Sequence, residues 1–374
     1  MRAYKIALII ALSLLAIGLF FVLLQLVTGS SEMTWLWLSS FYLIAGFVLL
    51  AISFQGFQKL KNLSYTMWIF TAVTFSLFYP QYLTGIGTFS FKSLIIPLLQ
   101  IMMFGVGTTM GLSDFAGVIR MPKAVFIGLA GHFIFMPLIG YTIAHTFGFA
   151  PEIAAGIILV GSVPCGLASN VLSYLANANV ALSVTLTAVG TLLAPVITPM
   201  LMQLLAGEYI PIDFFAMMWD ITQIVILPMT ASLLYNHFLG GKFEWLDKAM
   251  PVVSIVSIVT IIAVITAAGR ESLLTVGPLL MVACFIHNIT GYILGYTVCK
   301  AFKMNEKTCR TIALEVGLQN TSLATGLALK MGKVATVGLA PAVFSPIMNI
   351  SGSTLATWWQ SKPAKDQPVP LLQH

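Results

Sequence analysis

From Ile6 to Gln360 the chain is a succession of apolar runs, most of them about twenty residues or longer, parted by short turns that carry most of its charge. A run of this length crosses the ~30 Å hydrocarbon layer of a bilayer as a helix rising about 1.5 Å per residue. No water reaches the backbone at that depth, so every amide has to be satisfied inside the segment, and continuous apolar runs do this as helices. With 59% hydrophobic and 8% charged residues and a mean hydropathy of +0.97, a soluble chain of 374 residues would lack the polar surface to cover itself. The net charge of +6 sits in the turns, where it sets orientation; no nucleic-acid module is visible.

Arg2 and Lys5 precede the first run, Ile6 to Val27. It is longer than a signal-peptide core, no A-x-A site follows, and a second run, Trp35 to Phe54, begins at once, so it reads as a retained helix. Ten further segments run over 67–89, 93–112, 122–146, 153–176, 179–206, 211–236, 249–269, 275–299, 307–330 and 334–360. Twelve spans put both termini on one side. That side would hold Arg2, Lys5, Lys59, Lys61, Arg120, Lys123, Lys242, Lys248, Lys300, Lys303, Lys307, Arg310, Lys362 and Lys365, against Lys92, Arg270, Lys330 and Lys333 opposite, which makes it the cytoplasm. The expected division is a two-helix extension over 1–66, a ten-span unit over 67–360 and a disordered cytoplasmic tail over 361–374, with Pro363, Pro368 and Pro370.

Within this apolar frame the stretch from Ala313 to Ala328, ALEVGLQNTSLATGLA, stands out. Glu315 is the one carboxylate placed near the middle of a span, followed by Gly317, Gln319, Asn320, Thr321 and Ser322. Such a carboxylate costs about 2.5–3.5 kcal/mol to insert and persists where something pairs with it, a cation first of all. Glycine and the polar side chains predict an unwound segment lining a cavity. The competing reading is a polar seam between packed helices.

Weak internal echoes suggest a repeat. CGLASN at 165–170 and VGLQN at 316–320 place Asn170 and Asn320 150 residues apart; APVITP and APAVFSP place Pro195 and Pro341 146 apart. With five spans per half, the second half enters the membrane from the opposite face, giving a 5+5 inverted repeat whose fourth and ninth helices are broken and cross near the midplane. The fourth carries Gly161, Ser162, Pro164, Cys165, Gly166, Ser169 and Asn170, and the next helix offers Ser183 and Thr187 on one face. Ser169, Asn170, Ser183, Thr187 and Glu315 make a sodium-type set, several neutral oxygens with one carboxylate. Taken alone, Ser183 and Thr187 read as hydroxyls back-bonded to their own helix. Asp220 either faces a cavity or snorkels, His287 and Asn288 read as packing residues, and Met102, Met103, Met217 and Met218 as packing first and substrate wall second. Cys165, Cys284, Cys299 and Cys309 lack metal-type spacing and predict no disulfide framework.

From about 67 to 360 the chain resembles the bile acid:sodium symporter family, including its bacterial members that carry pantoate or pantothenate. The motifs are MMFGVGTTMGLSDF at 102–115, GLASNVLSYLANANVALSV at 166–184, HNITGYILGY at 287–296, EVGLQN at 315–320 and NISGSTLATWW at 349–359. The resemblance implies an all-α polytopic transporter of ten helices plus the two N-terminal ones. It has a panel domain, about 67–112 and 211–269, and a core domain, about 122–206 and 275–360. It implies one sodium site at Ser169, Asn170, Ser183, Thr187 and Glu315, and a second at Glu315, Gln319 and the carbonyls of Val316 and Leu318, with one side chain of the third helix. Here that side chain is His132 where relatives commonly carry glutamine. Three readings follow: a single sodium ion, a proton in place of the second, or a hydrogen-bonded core histidine without an ion role. Substrate contacts are expected at Asn320, Asn349 and Leu167, the last standing where threonine is frequent. The implied activity is sodium-coupled import of a small organic anion, pantoate-, pantothenate- or keto-acid-like, by alternating access in a bacterial inner membrane. The partners are sodium, the anion and the bilayer, without a cofactor. Two cations entering with one monoanion would move one net charge, worth about 2.3 kcal/mol per 100 mV. Proton coupling is one alternative and arsenite-type efflux through Cys165 another. An intramembrane enzyme is disfavoured because H-E-x-x-H, G-x-S-x-G and paired catalytic carboxylates are all missing.

Overall fold

The computed structural model describes residues 2–28, 33–57, 60–61, 63–108, 111, 117–239 and 244–362. Lys59, Lys242, Lys365, the expected tail beyond Lys362 and most of 109–116 in the first motif lie outside the described residues. The chain is an all-α integral membrane protein. Among the described residues six helices are long and apolar enough to cross a membrane: Ala3–Gln25, Trp37–Phe54, Pro122–Phe147, Val180–Leu205, Phe214–Asn236 and Arg270–Ala301.

Helices α1 (Arg2–Thr28) and α2 (Met33–Phe54) form an antiparallel pair whose small core, Ala11, Leu50 and Ala51, takes in Met67 of α3 (Leu63–Phe78). Ser64 Oγ donates to Ala51 O at 2.7 Å, so the pair buttresses α3. The expected span 67–89 is corrected here: α3 ends at Phe78, and a short antiparallel hairpin of β1 (Gly85–Ile86) and β2 (Phe89–Ser90) follows before α4 (Ile95–Thr108). The glycines at 85 and 87 and the alternation around Phe89 favour a turn over a continued helix.

After α5 (Gly117–Arg120), a long helix, a broken helix and a second long helix follow. They are α6 (Pro122–Phe147), then α7 (Pro151–Ser162) with α8 (Ala168–Leu175), then α9 (Val180–Leu205). Helix α6 stops at Gly148, whose left-handed backbone (φ 64°) favours glycine. Next come α10 (Phe214–Ile221) and α11 (Leu227–Leu239), joined by a π-turn over Thr222–Ile226, with α12 (Glu244–Ala268) after them. The same order then recurs: α13 (Arg270–Ala301), α14 (Glu306–Gly317) with α15 (Thr321–Lys330), and α16 (Leu339–Gln360).

Helices α3, α4, α11 and α12 pack on one another, while α6 to α9 and α13 to α16 pack around the two broken helices. The echoes do not pair equivalent positions. Asn170 lies in the first turn of α8, whereas Asn320 caps α15; Pro195 is inside α9, whereas Pro341 is in the first turn of α16. Arg310 is likewise not a turn charge: it lies inside α14 and is 3% exposed.

Candidate functional site

Each broken helix is interrupted for a local reason. Pro164 has no amide hydrogen and drives Val163 out of the helical region, to φ −79°, ψ 157°, which ends α7. No proline follows Gly317; the chain leaves α14 through an extended Leu318 (φ −99°, ψ 114°) because another strand of backbone replaces the lost helical bonds. Gly166 N donates to Leu318 O (3.2 Å) and Asn320 N to Pro164 O (2.9 Å), an antiparallel bridge between Cys165 and Gln319. The two interruptions therefore cross in contact. A Cβ on residue 166 would stand 2.8 Å from Gln319 O, so only glycine admits this approach. Asn288 Nδ2 holds Gly317 O at 2.8 Å and its carboxamide oxygen accepts from Ser351. This gives the expected packing residue a defined task at the break.

The crossing brings Ser169, Asn170, Ser183, Thr187 and Glu315 together. Glu315 is buried, 1% exposed, and among the described residues no cationic side chain pairs with it. Ser183 Oγ donates to Glu315 Oε1 and faces Asn170 Oδ1 at 2.8 Å. Thr187 Oγ1 lies 3.2 and 3.4 Å from the two carboxylate oxygens, 3.3 Å from Asn170 Oδ1 and 3.3 Å from Ser169 Oγ. Ser169 spends its proton on Gly166 O at 2.9 Å. The hydroxyls of Ser169, Ser183 and Thr187 and the Cys165 thiol surround the Glu315 carboxylate, with Asn170 Oδ1 beside them. A buried carboxylate among neutral oxygens without a counter-charge is stabilised by one added cation, and hard neutral oxygens with one carboxylate suit sodium.

The residues expected at a second site are arranged differently. His132 Nδ1 is 3.0 Å from Glu315 O and Nε2 is 2.9 Å from Val163 O, so both ring nitrogens face backbone carbonyls and neither faces the Glu315 carboxylate. Gln319 Nε2 donates to Val316 O (2.8 Å), and Leu318 O accepts from Gly166 N. Gln319 Oε1 is buried without a hydrogen-bond partner, an acceptor left open.

Beside the crossing lies a cavity of about 190 Å³, lined by Gly166, Leu167, Gln319 and Asn320 from the break and by Met102, Met103, Ile255 and Ile258 from α4 and α12. Two of the methionines expected to pack do line it. Asn349 reaches it from α16, with its Nδ2 committed to Ser345 O at 2.7 Å. Asn320 caps α15 by accepting from Leu323 N (3.0 Å), whereas the first turn of α8 has no side-chain cap. None of the lining side chains is cationic. Tyr65, Thr191 and Ser345 also line the cavity and were not singled out in the sequence. Thr191 extends the polar stripe of Ser183 and Thr187 by one more turn, a legible signal; Tyr65 gives none. Cys165 is 5% exposed and donates to Gly166 O at 3.4 Å. All four cysteines are free and buried.

A membrane bundle whose interrupted helices cross at buried oxygens, beside a cavity between two helix sets, is the architecture of a secondary transporter. The sodium bile acid symporter family profile matches residues 96–276, and the chain belongs to this family. It is 37% identical over 305 residues to the uncharacterized sodium-dependent transporter YocS of Bacillus subtilis, covering 81% of this chain and 93% of the relative. It is 32% identical to the probable chloroplastic sodium/metabolite cotransporter BASS1 of Arabidopsis thaliana, over 71% of this chain and 67% of the relative. To BASS3 of Oryza sativa it is 34% identical, over 73% and 65%. The family consists of transporters, not enzymes, and sodium fits as the coupling ion.

Proposed function

We propose that the protein imports a small organic monocarboxylate together with sodium by alternating access. The observation that carries this reading is the oxygen cluster around Glu315, a buried carboxylate without a counter-charge among the described residues and one bridge away from a cavity suited to an acid. A volume of about 190 Å³ lies below the ~300–1,000 Å³ of pockets that hold drug-sized ligands, which favours a pantoate-, pantothenate- or keto-acid-like molecule over a steroid. With no cationic side chain in the lining, the carboxylate is held by the uncapped first turn of α8 and by the sodium charge nearby. Asn320, Asn349 and Leu167 frame it. Sodium binds first, joins Ser169, Asn170, Ser183, Thr187 and Glu315, and fixes the crossing in the form that accepts the anion.

The panel in this reading comprises α3, α4, α10 to α12, and the core α6 to α9 with α13 to α16, the second half inverted relative to the first. Both termini, with the tail over 361–374, face the cytoplasm of a bacterial inner membrane, and residues 1–66 brace the panel. The conformer is inward-facing. Helix α15 is packed on α4, α10 and the π-turn, while α8 exposes Val171 and Tyr174, and a cavity of about 740 Å³ opens between Leu60, Leu63, Leu175 and Thr357.

We take the stoichiometry to be one sodium per anion, because at the second position the carbonyls of Val316 and Leu318 already accept from Gln319 Nε2 and Gly166 N, while both ring nitrogens of His132 face other backbone carbonyls. Efflux through Cys165 draws no support from the surroundings of its thiol, which include no other cysteine in the cavity lining. The deciding experiment is uptake of labelled small carboxylates into proteoliposomes under a sodium gradient, a potassium gradient and a proton gradient. Stimulation by sodium alone is expected; equal rates in sodium and potassium would sink the central claim.

A further inference from the structure

Arg310 is a buried guanidinium five residues before Glu315 on the same half-helix, and its partners lie at the ends of two other helices. Nη1 donates to Ala176 O (3.0 Å), at the C-terminus of α8, and to Trp359 O (3.1 Å), in the last turn of α16; Nη2 donates to Lys362 O at 2.9 Å. Nε is paired with Glu306 Oε1 at 3.1 Å, and the guanidinium lies 5.8 Å from the Trp359 ring centroid. Glu306 is itself held by Lys300 Nζ (2.7 Å) and Tyr296 OH (2.9 Å).

Ligation of these carbonyls matters because of what α8 carries at its other end. That helix has only eight residues, too few to be stable alone. Its N-terminal turn delivers Ser169 and Asn170 to Glu315 and is fixed by the crossing bridge. At the other end the chain reverses through Asn177 in the left-handed region (φ 51°), with Arg310 on the last carbonyl. The arginine thus ties the axis of α8 to α14, the helix that supplies the carboxylate.

We propose that Arg310 is a positioning residue for the sodium cluster: by clamping the C-terminal end of α8 onto α14 it keeps the oxygens of Ser169 and Asn170 in register with Glu315. This rests on the reading of that cluster as the sodium site. A lysine keeps the charge but not the fork that reaches two helix ends at once.

The test is sodium-dependent thermal unfolding and sodium-dependent uptake for wild type, Arg310→Lys and Trp359→Leu, each titrated with sodium chloride at constant ionic strength. Charge-assisted hydrogen bonds of this kind predict a sodium midpoint raised about tenfold in Arg310→Lys, with the maximal rate at saturating sodium within about twofold of wild type. Trp359→Leu leaves the carbonyl and removes the ring, and raises the midpoint by a smaller factor; it also serves if Arg310→Lys does not give a monodisperse protein. A lower melting point in potassium with an unchanged sodium midpoint, in whichever variant folds, assigns Arg310 a stabilising role alone and overturns the proposal. A wild type without any sodium-specific shift overturns the sodium reading itself, a separate outcome.

Discussion

Lys330 Nζ stands 3.1 Å from Asp220 Oδ1, and this ion pair joins the last turn of α15 to α10. Asp220 is not among the residues that line the cavity beside the crossing; together with Lys330 it lines a separate cavity of about 250 Å³. Beside the pair, Leu99 and Ile224 close on Gly326, where a Cβ would meet Leu99 Cδ1 at 2.5 Å. The pair is partly shielded, at 22% and 32% side-chain exposure, so it is worth about 1 kcal/mol. Asp220→Asn and Lys330→Gln should each ease opening of this face and lower the half-saturating external sodium by up to about fivefold. The exchange Asp220→Lys with Lys330→Asp should bring it back. Uptake at graded external sodium measures this, and single variants that match wild type would remove the pair from the gating equilibrium.

The Glu315 cluster makes a sharper prediction. In Glu315→Gln the uncompensated negative charge disappears, and the sodium-specific rise in melting point should vanish with it. Ser183→Ala should keep the rise but shift its sodium midpoint upward about tenfold, the effect of one buried hydrogen-bonding oxygen at a charged centre. Ligand stabilisation of about 2.7 kcal/mol at a hundred times Kd makes the shift readily seen in detergent. A sodium response that survives in Glu315→Gln would place the ion elsewhere.

One sodium with one monoanion moves no net charge. Initial uptake rates at fixed gradients should therefore be the same whether a potassium diffusion potential of about 100 mV is imposed or collapsed, where a second cation would add about 2.3 kcal/mol of driving force. His132→Gln supplies an amide oxygen in place of the imidazole, and voltage dependence should appear in that variant. A voltage-dependent wild type would restore the two-ion stoichiometry.

Gly166→Ala tests the crossing itself. Its methyl would press on Gln319 O at 2.8 Å, and overpacking of this kind costs about 1–3 kcal/mol. The variant should melt lower in both sodium and potassium and lose uptake. Normal uptake would mean that the two interruptions part readily.

The residues that meet at the crossing were legible because charge and breakers are rare in an apolar chain. Glu315, Pro164 and the stripe of Ser183 and Thr187 could be weighed one by one against lipid. What escaped reading were partnerships over long separations. Arg310 counted as one more cytoplasmic charge because nothing local says that three distant carbonyls converge on it. Asn170 and Asn320 looked equivalent because an echo of letters takes no account of whether a residue sits inside a helix or caps one. The hairpin at 85–90 was absorbed into a span because Ile86 and Phe89 are apolar whichever structure they adopt. His132 was recognised as unusual, but the two carbonyls that engage it belong to the interruptions, and their directions follow from the crossing alone.

The Ser183–Glu315 contact spans 132 residues of chain, and this has a bearing on biogenesis. The first half reaches the membrane with Ser169, Asn170, Ser183 and Thr187 already at bilayer depth, and with the Pro164 carbonyl and the Gly166 amide still waiting for Asn320 and Leu318. Until the ribosome has delivered α14, the interruption between α7 and α8 has no backbone partner. A nascent chain stopped before Glu306 would therefore hold the Gly166 amide and the Pro164 carbonyl without the partners that Leu318 and Asn320 supply.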